Sequence, residues 1–314
     1  MQQKTRVVVC GEKWVAQQCL QFLYDRQDTE LCAIVTAATD WQADLPSWGA
    51  KKKVKVYVGN INHYVNELTA LQPDFLFSIQ YRPLLRPPIL RLPKNGCANL
   101  HFSMLPRYGG CYPIAWAILN GEQQTGATLH YTTERFDDGD LIAQVAVPMG
   151  PTMTAREAFD AVSVAAVKLF TDIYARLCHG AIATRPQTVS EQLYFAKDSI
   201  DFERDRYIDW RKPGVDIQRQ IRAFSFEPFQ LPATILQLPD GRRENVTVAQ
   251  VRLSNGLRQS SAGRVGQVID ATAAGAVRVV TGGGSMLEIG LLNHQPSRDL
   301  IASFGYRPTD VKLT

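Results

Sequence analysis

CANLHFSMLPRYGGCYP, residues 97–113, is the stretch on which the reading of this chain turns. Its first five residues read as a short apolar strand. Because side chains alternate along a strand, Asn99 and His101, two apart, point to the same face. The Pro- and Gly-rich segment that follows breaks the strand and makes a turn. In a parallel α/β sheet, ligands bind beyond the carboxyl ends of the strands, which is where this turn lies. A second polar cluster, Asp137-Asp138-Gly139-Asp140, comes later in the chain. A carboxamide, an imidazole and a carboxylate can meet at that strand end.

Working outward toward the amino end, residues 5–10 (TRVVVC) form an apolar run closed by Gly11. A helix follows, in which Val15, Cys19, Phe22 and Arg26 recur at three- or four-residue spacing. Residues 30–36, 54–58 and 74–79 read as further strands, with a helix over 60–71 between Gly59 and the Pro73-Asp74 turn. Alternating strands and helices predict an α/β fold: a Rossmann-like, doubly wound, mostly parallel sheet. Only Gly11 stands in the first strand-to-helix turn, and no GxGxxG follows, so the amide cradle of a dinucleotide site is missing. Residues 37–53, with Trp41, Trp48 and Lys51-Lys52-Lys53, read as a solvated loop, the alternative being lysines that meet a phosphate. Pro83, Pro87, Pro88 and Pro93 restrict residues 82–93 to short helical pieces.

Toward the carboxyl end, a helix over 113–120 has Pro113 at its first position and Gly121 past its end. Residues 125–132 and 141–147 read as strands, with His130 a structural residue on the first. Thr154-x-x-Glu157 is a capping box, and Phe159, Val162, Ala166, Leu169, Ile173 and Leu177 form one apolar stripe running to Gly180. After 200 the texture changes. A helix near 215–224 precedes short strands at 234–238, 246–253, 264–269, 277–281 and 285–290, the pattern of a small β-barrel. The expected organisation is a catalytic domain over 1–180, a connector over 181–199 and a β domain over 200–314.

The length of 314 residues suits two domains, since single cores stop growing at about 250 to 300 residues. With 34 basic against 30 acidic residues and 45% hydrophobic content, the balance is that of an ordinary globular chain. No apolar run approaches the roughly eighteen residues of a membrane span. MQQKTRVVVCGEKW enters a strand directly instead of a signal-peptide core, so a cytoplasmic location is expected. The six cysteines show neither CxxC nor zinc-ligand spacing, and no metal is expected. Cys111, although in the turn, lacks a nucleophile signature and is assigned no catalytic role.

These residues resemble the formyltransferase family, whose members move a formyl group from N10-formyltetrahydrofolate to an amine. The resemblance rests on Asn99-x-His101, then Ser103-x-Leu105-Pro106-x-Tyr108-x-Gly110, then PIAWAILNG at residues 113–121, TGATLH at 125–130 and Asp137-Asp138-Gly139-Asp140. It implies that the carboxyl-terminal barrel is a small OB-like β-barrel domain, and that Asn99, His101 and Asp137, the first aspartate of its block, are catalytic. It implies a folate pocket along Ile79, Gln80, Tyr81 and Leu85, with Asp138 on the same side. Ser103, Arg107, Tyr108 and Tyr112 would line the mouth for the amine.

Formyl transfer is acyl transfer, and the residue types suit it. Asn99 offers an uncharged donor to the tetrahedral oxyanion, an interaction whose loss costs about 3 to 4 kcal/mol. His101 can act as general base or, as imidazolium, stabilise the oxyanion; the sequence leaves both open. Asp137 would orient His101. Two acceptors compete, a nucleotide-linked (dTDP) amino-dideoxy sugar of cell-surface glycan synthesis, such as lipopolysaccharide, and initiator methionyl-tRNA. Residues 180–314 carry 17 basic and 14 acidic side chains, thin for a surface that tracks phosphates. The Arg-Gly usual after Tyr108 in the transfer-RNA branch is here Gly109-Gly110, and that branch's basic insertion is not seen in 37–53. The sugar is therefore preferred over transfer RNA. A non-catalytic folate-binding paralogue is the third alternative, against which the intact Asn99, His101 and Asp137 count. Self-association as a homodimer is compatible with the sequence.

Overall fold

The computed structural model describes residues 4–37, 43–253, 264–272, 275–292, 301–302 and 306–314. Residues group into two compact units. The first contains 1–113, 124–148 and 160–196; the second contains 114–123, 149–159 and 197–314. The second unit thus takes two segments from the part of the chain that the sequence assigns to the first domain.

The first unit starts with β1 (Thr5–Gly11), whose Val7 to Cys10 are fully buried, as a strand covered on both faces must be. It continues through α1 (Lys13–Asp25), β2 (Thr29–Thr36), α2 (Leu45–Lys52), β3 (Lys55–Val58), α3 (Val65–Ala70), β4 (Phe75–Ile79), α4 (Pro87–Leu90) and β5 (Cys97–His101). The two-residue β6 (Gly109–Gly110) and α5 (Pro113–Leu119), nearly all of which belongs to the second unit, precede β7 (Gln124–Tyr131) and β8 (Leu141–Pro148). The long α6 (Ala155–Cys178) and β9 (Tyr194–Phe195) follow. The seven-stranded sheet has the order β3-β2-β1-β4-β5-β7-β8. Its first five strands are parallel, and β7 and β8 extend it antiparallel. The α/β, Rossmann-like expectation holds. Strand order reverses beside β1, so β1, β4 and β5 deliver their carboxyl ends to one edge. An aromatic cluster on one side of the strands, Phe22, Phe77, Phe170 and Tyr174, joins α1, β4 and α6. Within it the Tyr174 hydroxyl meets Thr29 Oγ1 at 2.9 Å.

Two local readings change. Residues 45–52 are helical because the Asp44 carboxylate caps the Ser47 N–H (3.0 Å) and Pro46 sits in the first turn, so only part of 37–53 is loop. Lys51, Lys52 and Lys53 end that helix at the entry side of β3, the opposite end of the parallel strands from His101. That removes the ground for a phosphate there. Trp41 lies outside the described residues. The helix expected over 60–71 splits into a 3₁₀ turn, Ile61–His63, and α3, broken at Tyr64 with φ −114° and ψ 25°.

The second unit adds α7 (Phe202–Asp205), α8 (Gly214–Phe224), β10 (Ala233–Gln237), β11 (Arg243–Leu253), β12 (Val268–Ala271), β13 (Val277–Val280), β14 (Met286–Leu292) and β15 (Lys312–Leu313). Six strands in the order β12-β13-β14-β11-β10-β15 form a curled antiparallel sheet. Its outer strands approach each other where the Leu313 N–H donates to the Gly266 carbonyl at 2.7 Å. That contact gives the barrel-like curl expected from the short strands. Its core is aliphatic, with Val248, Val268, Val279, Leu287 and Ile289 under Ile217 and Ile221 of α8. No helix among the described residues is long and apolar enough to cross a membrane.

Candidate active site

Strand register brings the site together. Asn99 on β5 pairs with His130 on the antiparallel β7, so the two side chains leave the same face as neighbours. His101, two residues further on, shares that face. The β7–β8 connection then returns Asp137 over both. It can do so only with glycine at 139, because a Cβ there would stand 1.9 Å from the Tyr131 carbonyl oxygen.

The centre is the Asp137 carboxylate. Oδ2 accepts the Gly110 N–H at 2.8 Å and lies 3.5 Å from His101 Nδ1. Oδ1 accepts from Asn99 Nδ2 at 3.3 Å and lies 3.3 Å from His130 Nε2. The side chains of Asp137, His101 and His130 are only 9%, 10% and 1% exposed. Burial pushes the Asp137 carboxyl up, but His101, His130 and the Gly110 N–H together outweigh it and hold the group well below the ordinary carboxylate range. Carbonyls accept only, which places the protons. His101 Nε2 donates to the Tyr108 carbonyl at 2.9 Å, and His130 Nδ1 donates to the Tyr131 carbonyl at 2.8 Å. His130 Nε2 stands between Asn99 Nδ2 at 3.1 Å and Asp137 Oδ1 at 3.3 Å, which ties the carboxamide to the carboxylate. His101 thus has Nε2 on the Tyr108 carbonyl and turns Nδ1 toward the Asp137 carboxylate at 3.5 Å.

Four non-glycine residues around this point have positive φ: Gln80 (54°), Tyr108 (62°), Tyr112 (58°) and Asp137 (52°). Each costs about 1 to 3 kcal/mol and persists only where neighbours over-determine it, a pattern that gathers at functional sites. Beside Asp137 a shallow hollow, open to solvent, is lined by Gly109, Phe136, Asp137, Asp138, Gln192 and Tyr194 among others. Among the described residues no group of His, Cys, Asp or Glu has the arrangement of a metal site.

Comparison with known proteins gives the same grouping a family. Residues 6–173 match the family model described as formyl transferase, and residues 202–303 match that of the formyl transferase C-terminal domain. The chain belongs to the formyl transferase family. A methionyl-tRNA formyltransferase of Synechococcus sp. (strain JA-2-3B'a(2-13)) is 31% identical over 220 residues, which are 70% of this formyl transferase and 66% of the relative. The match thus spans about two thirds of that relative's length. Among solved structures, WlaRD, a sugar 3N-formyl transferase in the presence of dTDP and 5-N-formyl-THF, superposes with TM-score 0.72 at 20% identity, covering 93% of this chain and 99% of the other. An N-formyltransferase from Helicobacter canadensis, in complex with folinic acid and dTDP-3-aminofucose, gives TM-score 0.72 at 20% identity, covering 92% and 100%.

Within this formyl transferase, the residues singled out from sequence fall into three groups. Asn99, His101 and Asp137 converge as described. Ile79, Tyr81 and Leu85 are buried, Tyr81 in the core with its hydroxyl accepting from the Ile61 N–H (2.8 Å) and donating to the Gly59 carbonyl (2.7 Å). Gln80 follows β4, and its buried Oε1 has no hydrogen-bond partner among the described residues. Asp138 turns away from the imidazoles toward Arg135 (2.8 Å) and Gln192 (3.2 Å). Ser103 is buried and spends its hydroxyl on the Arg107 carbonyl at 2.8 Å, bracing the turn. Tyr108 is buried and stacked on Phe195, Arg107 is exposed with its guanidinium over the Tyr108 ring, and Tyr112 is half-buried.

Sequence reasoning missed two contributors. His130 was placed on its strand but not in the site, and the TGATLH block held the signal, because in an antiparallel pair the residue opposite Asn99 must share its face. The stretch taken as a connector also reaches the site: Gln187 Nε2 donates to the Asp137 and Gly139 carbonyls, both at 2.8 Å, and β9 pairs with β6. No local sequence signal marks that pairing.

Proposed function

We propose that this chain transfers the formyl group of N10-formyltetrahydrofolate to the amine of a nucleotide-linked, dTDP-type amino-dideoxy sugar. The observation that carries the formyl-transfer step is the convergence of Asn99, His101 and Asp137 at the carboxyl edge of the sheet. The amine nitrogen attacks the formyl carbon, the carbonyl oxygen becomes an oxyanion, and the bond to folate N10 breaks as N10 takes the proton lost by the amine. Asn99 supplies the neutral donor to that oxyanion by giving up one of its amide bonds to His130 or Asp137. His101 stands beside that oxyanion as a base for the amine proton or, charged, as its stabiliser, and Asp137 orients the ring in both roles. The folate lies along the end of β4, where Gln80 has an unpaired buried carbonyl to offer a pterin donor, and Ile79, Tyr81 and Leu85 supply the dry wall. On the amine side, Arg107 and Tyr112 stand at the mouth of the turn.

The sugar is favoured because two solved neighbours of similar length carry dTDP or a dTDP-sugar. A second reading, formylation of methionyl-tRNA, draws on the Synechococcus relative. Purified protein incubated with N10-formyltetrahydrofolate and either dTDP-4-amino-4,6-dideoxyglucose or charged initiator tRNA separates the two by tetrahydrofolate release. Release with the sugar is expected; release with tRNA alone overturns the sugar assignment. His101→Ala should abolish transfer while folate binding persists, and an ordinary rate in that variant removes His101 from the mechanism. Folate binding without turnover toward either acceptor would leave only a binding protein.

A further inference from the structure

The segment between α6 and β9 is fastened at both ends to the strands that carry the site. Arg185 exchanges two backbone hydrogen bonds with Leu141 at the start of β8 (2.8 and 3.0 Å), and β9 pairs with β6. Between these anchors the geometry points to Gln187 as the positioning residue for Asp137. Its Nε2 donates to the carbonyl oxygens of Asp137 and Gly139, both at 2.8 Å, so a single amide group pins the backbone on either side of Asp138. The amide has only one workable orientation, because the flipped form would set Oε1 against two carbonyls. Oε1 is left buried without a hydrogen-bond partner among the described residues, a cost that the double donation offsets.

This clamp explains how Asp137 keeps a φ of 52° that its side chain does not favour. With that backbone fixed, Oδ2 meets the Gly110 N–H and His101, while Oδ1 meets Asn99 and His130. The hydrogen bonds of Gln187 go to that backbone and not to those side chains. It acts by holding the peptide from which the carboxylate is aimed. A carboxylate displaced by about 1 Å would no longer serve His101, and misplacement of that size costs up to about 100-fold in turnover. The consequence for turnover rests on the formyl-transfer reading; the placement of Asp137 does not.

The test uses the full chain with Gln187→Met and Gln187→Glu, which keep the length of the side chain and remove the donor. Amide hydrogen exchange is followed by NMR at three neighbouring residues, with kcat and KM measured alongside. Gly110 donates to the Asp137 carboxylate, whereas Gly109 and Cys111 donate to the Leu193 and Phe195 carbonyls of the strap. Exchange at Gly110 should rise at least about tenfold while Gly109 and Cys111 hold their rates. In the same variants kcat should fall by up to about 100-fold with both KM values within about twofold. Unchanged exchange at Gly110, equal acceleration at all three amides, unchanged kcat in an active protein, or failure of both variants to fold would each make Gln187 a brace of the strap and overturn the assignment. A wild-type protein without formyl transfer whose Gly110 still responds would sink the function proposed above and leave the placement standing.

Discussion

Asp137 concentrates what the site does. Its two oxygens are met by two imidazoles, a carboxamide and a backbone N–H, drawn from β5, β7 and the turn after β5. A carboxyl group buried to this degree would ordinarily take up a proton, so the ionised form is kept by those partners and not by solvent. The sign of its linkage to folding follows. A carboxyl whose folded pKa lies below its unfolded value stabilises the fold above that unfolded value, here near 3.8, and the contribution is lost as pH falls from there toward the folded pKa. Other carboxylates, Asp28 and Asp74 among them, are depressed as well, so the informative quantity is a difference. Urea titrations of the wild type and Asp137→Asn between pH 5 and 2.5 should give a gap in stability that is largest at the upper end and narrows as pH falls. A gap independent of pH would mean that the carboxylate is not held ionised by its surroundings.

At the level of elements, the pairing of β6 with β9 ties the turn after β5 to the strap that holds Asp137. Its two glycines are not equivalent. A Cβ at Gly109 would meet Asp137 Cβ and Tyr194 at 3.5 Å, ordinary contact, whereas a Cβ at Gly110, where φ is 87°, would stand 2.2 Å from the Phe195 carbonyl oxygen. Gly109→Ala should therefore keep stability and turnover. Gly110→Ala should lose at least about 2 kcal/mol in denaturant unfolding and most of its turnover, since both the strap and the N–H donated to Asp137 are displaced. Equal behaviour of the two variants would show that β6 and β9 do not pair in this way. This pairing also marks the limit of what could be read from the sequence. β1 and β4 were legible because strands buried on both faces read as short apolar runs bounded by turn residues, the α6 stripe because burial on one face imposes a period, and Asn99 with His101 because two residues apart on a strand share a side. Two-residue strands have no period, Gln187 is an ordinary polar residue in a polar stretch, and α2 rests on local signals only, the Asp44 cap and Pro46. His130 lay between these cases: its strand was readable, but its role depended on the register against β5, which becomes evident only when the strands are laid side by side.

On the scale of the whole chain, the second unit is not the tail alone. Residues 114–123 and 149–159 are bound to residues beyond 197 by specific contacts. Trp116 Nε1 donates to Ser199 Oγ (3.3 Å), and Arg222 donates to the Met153 carbonyl (3.3 Å). Arg156 reaches the Glu227 carbonyl through its guanidinium (2.8 Å) and the Ser225 carbonyl through its N–H (3.1 Å). Phe159 and Phe226 meet edge to face at 5.3 Å, a geometry worth about 0.5 to 1.5 kcal/mol beyond the area it buries. A chain ended at residue 196 would keep α5 and the start of α6 but strip both of these partners. The Trp116 indole N–H, the Arg156 guanidinium and the apolar Phe159 ring would then face water. The shortened chain should therefore bind a hydrophobic dye strongly and unfold over a broad range of temperature, where the full chain gives a sharp transition. It should also lack transfer activity even though Asn99, His101, Asp137 and Gln187 are all present. A sharp transition and retained turnover in the 1–196 fragment would mean that the catalytic sheet is self-sufficient and that the two inserted segments draw their order from it instead.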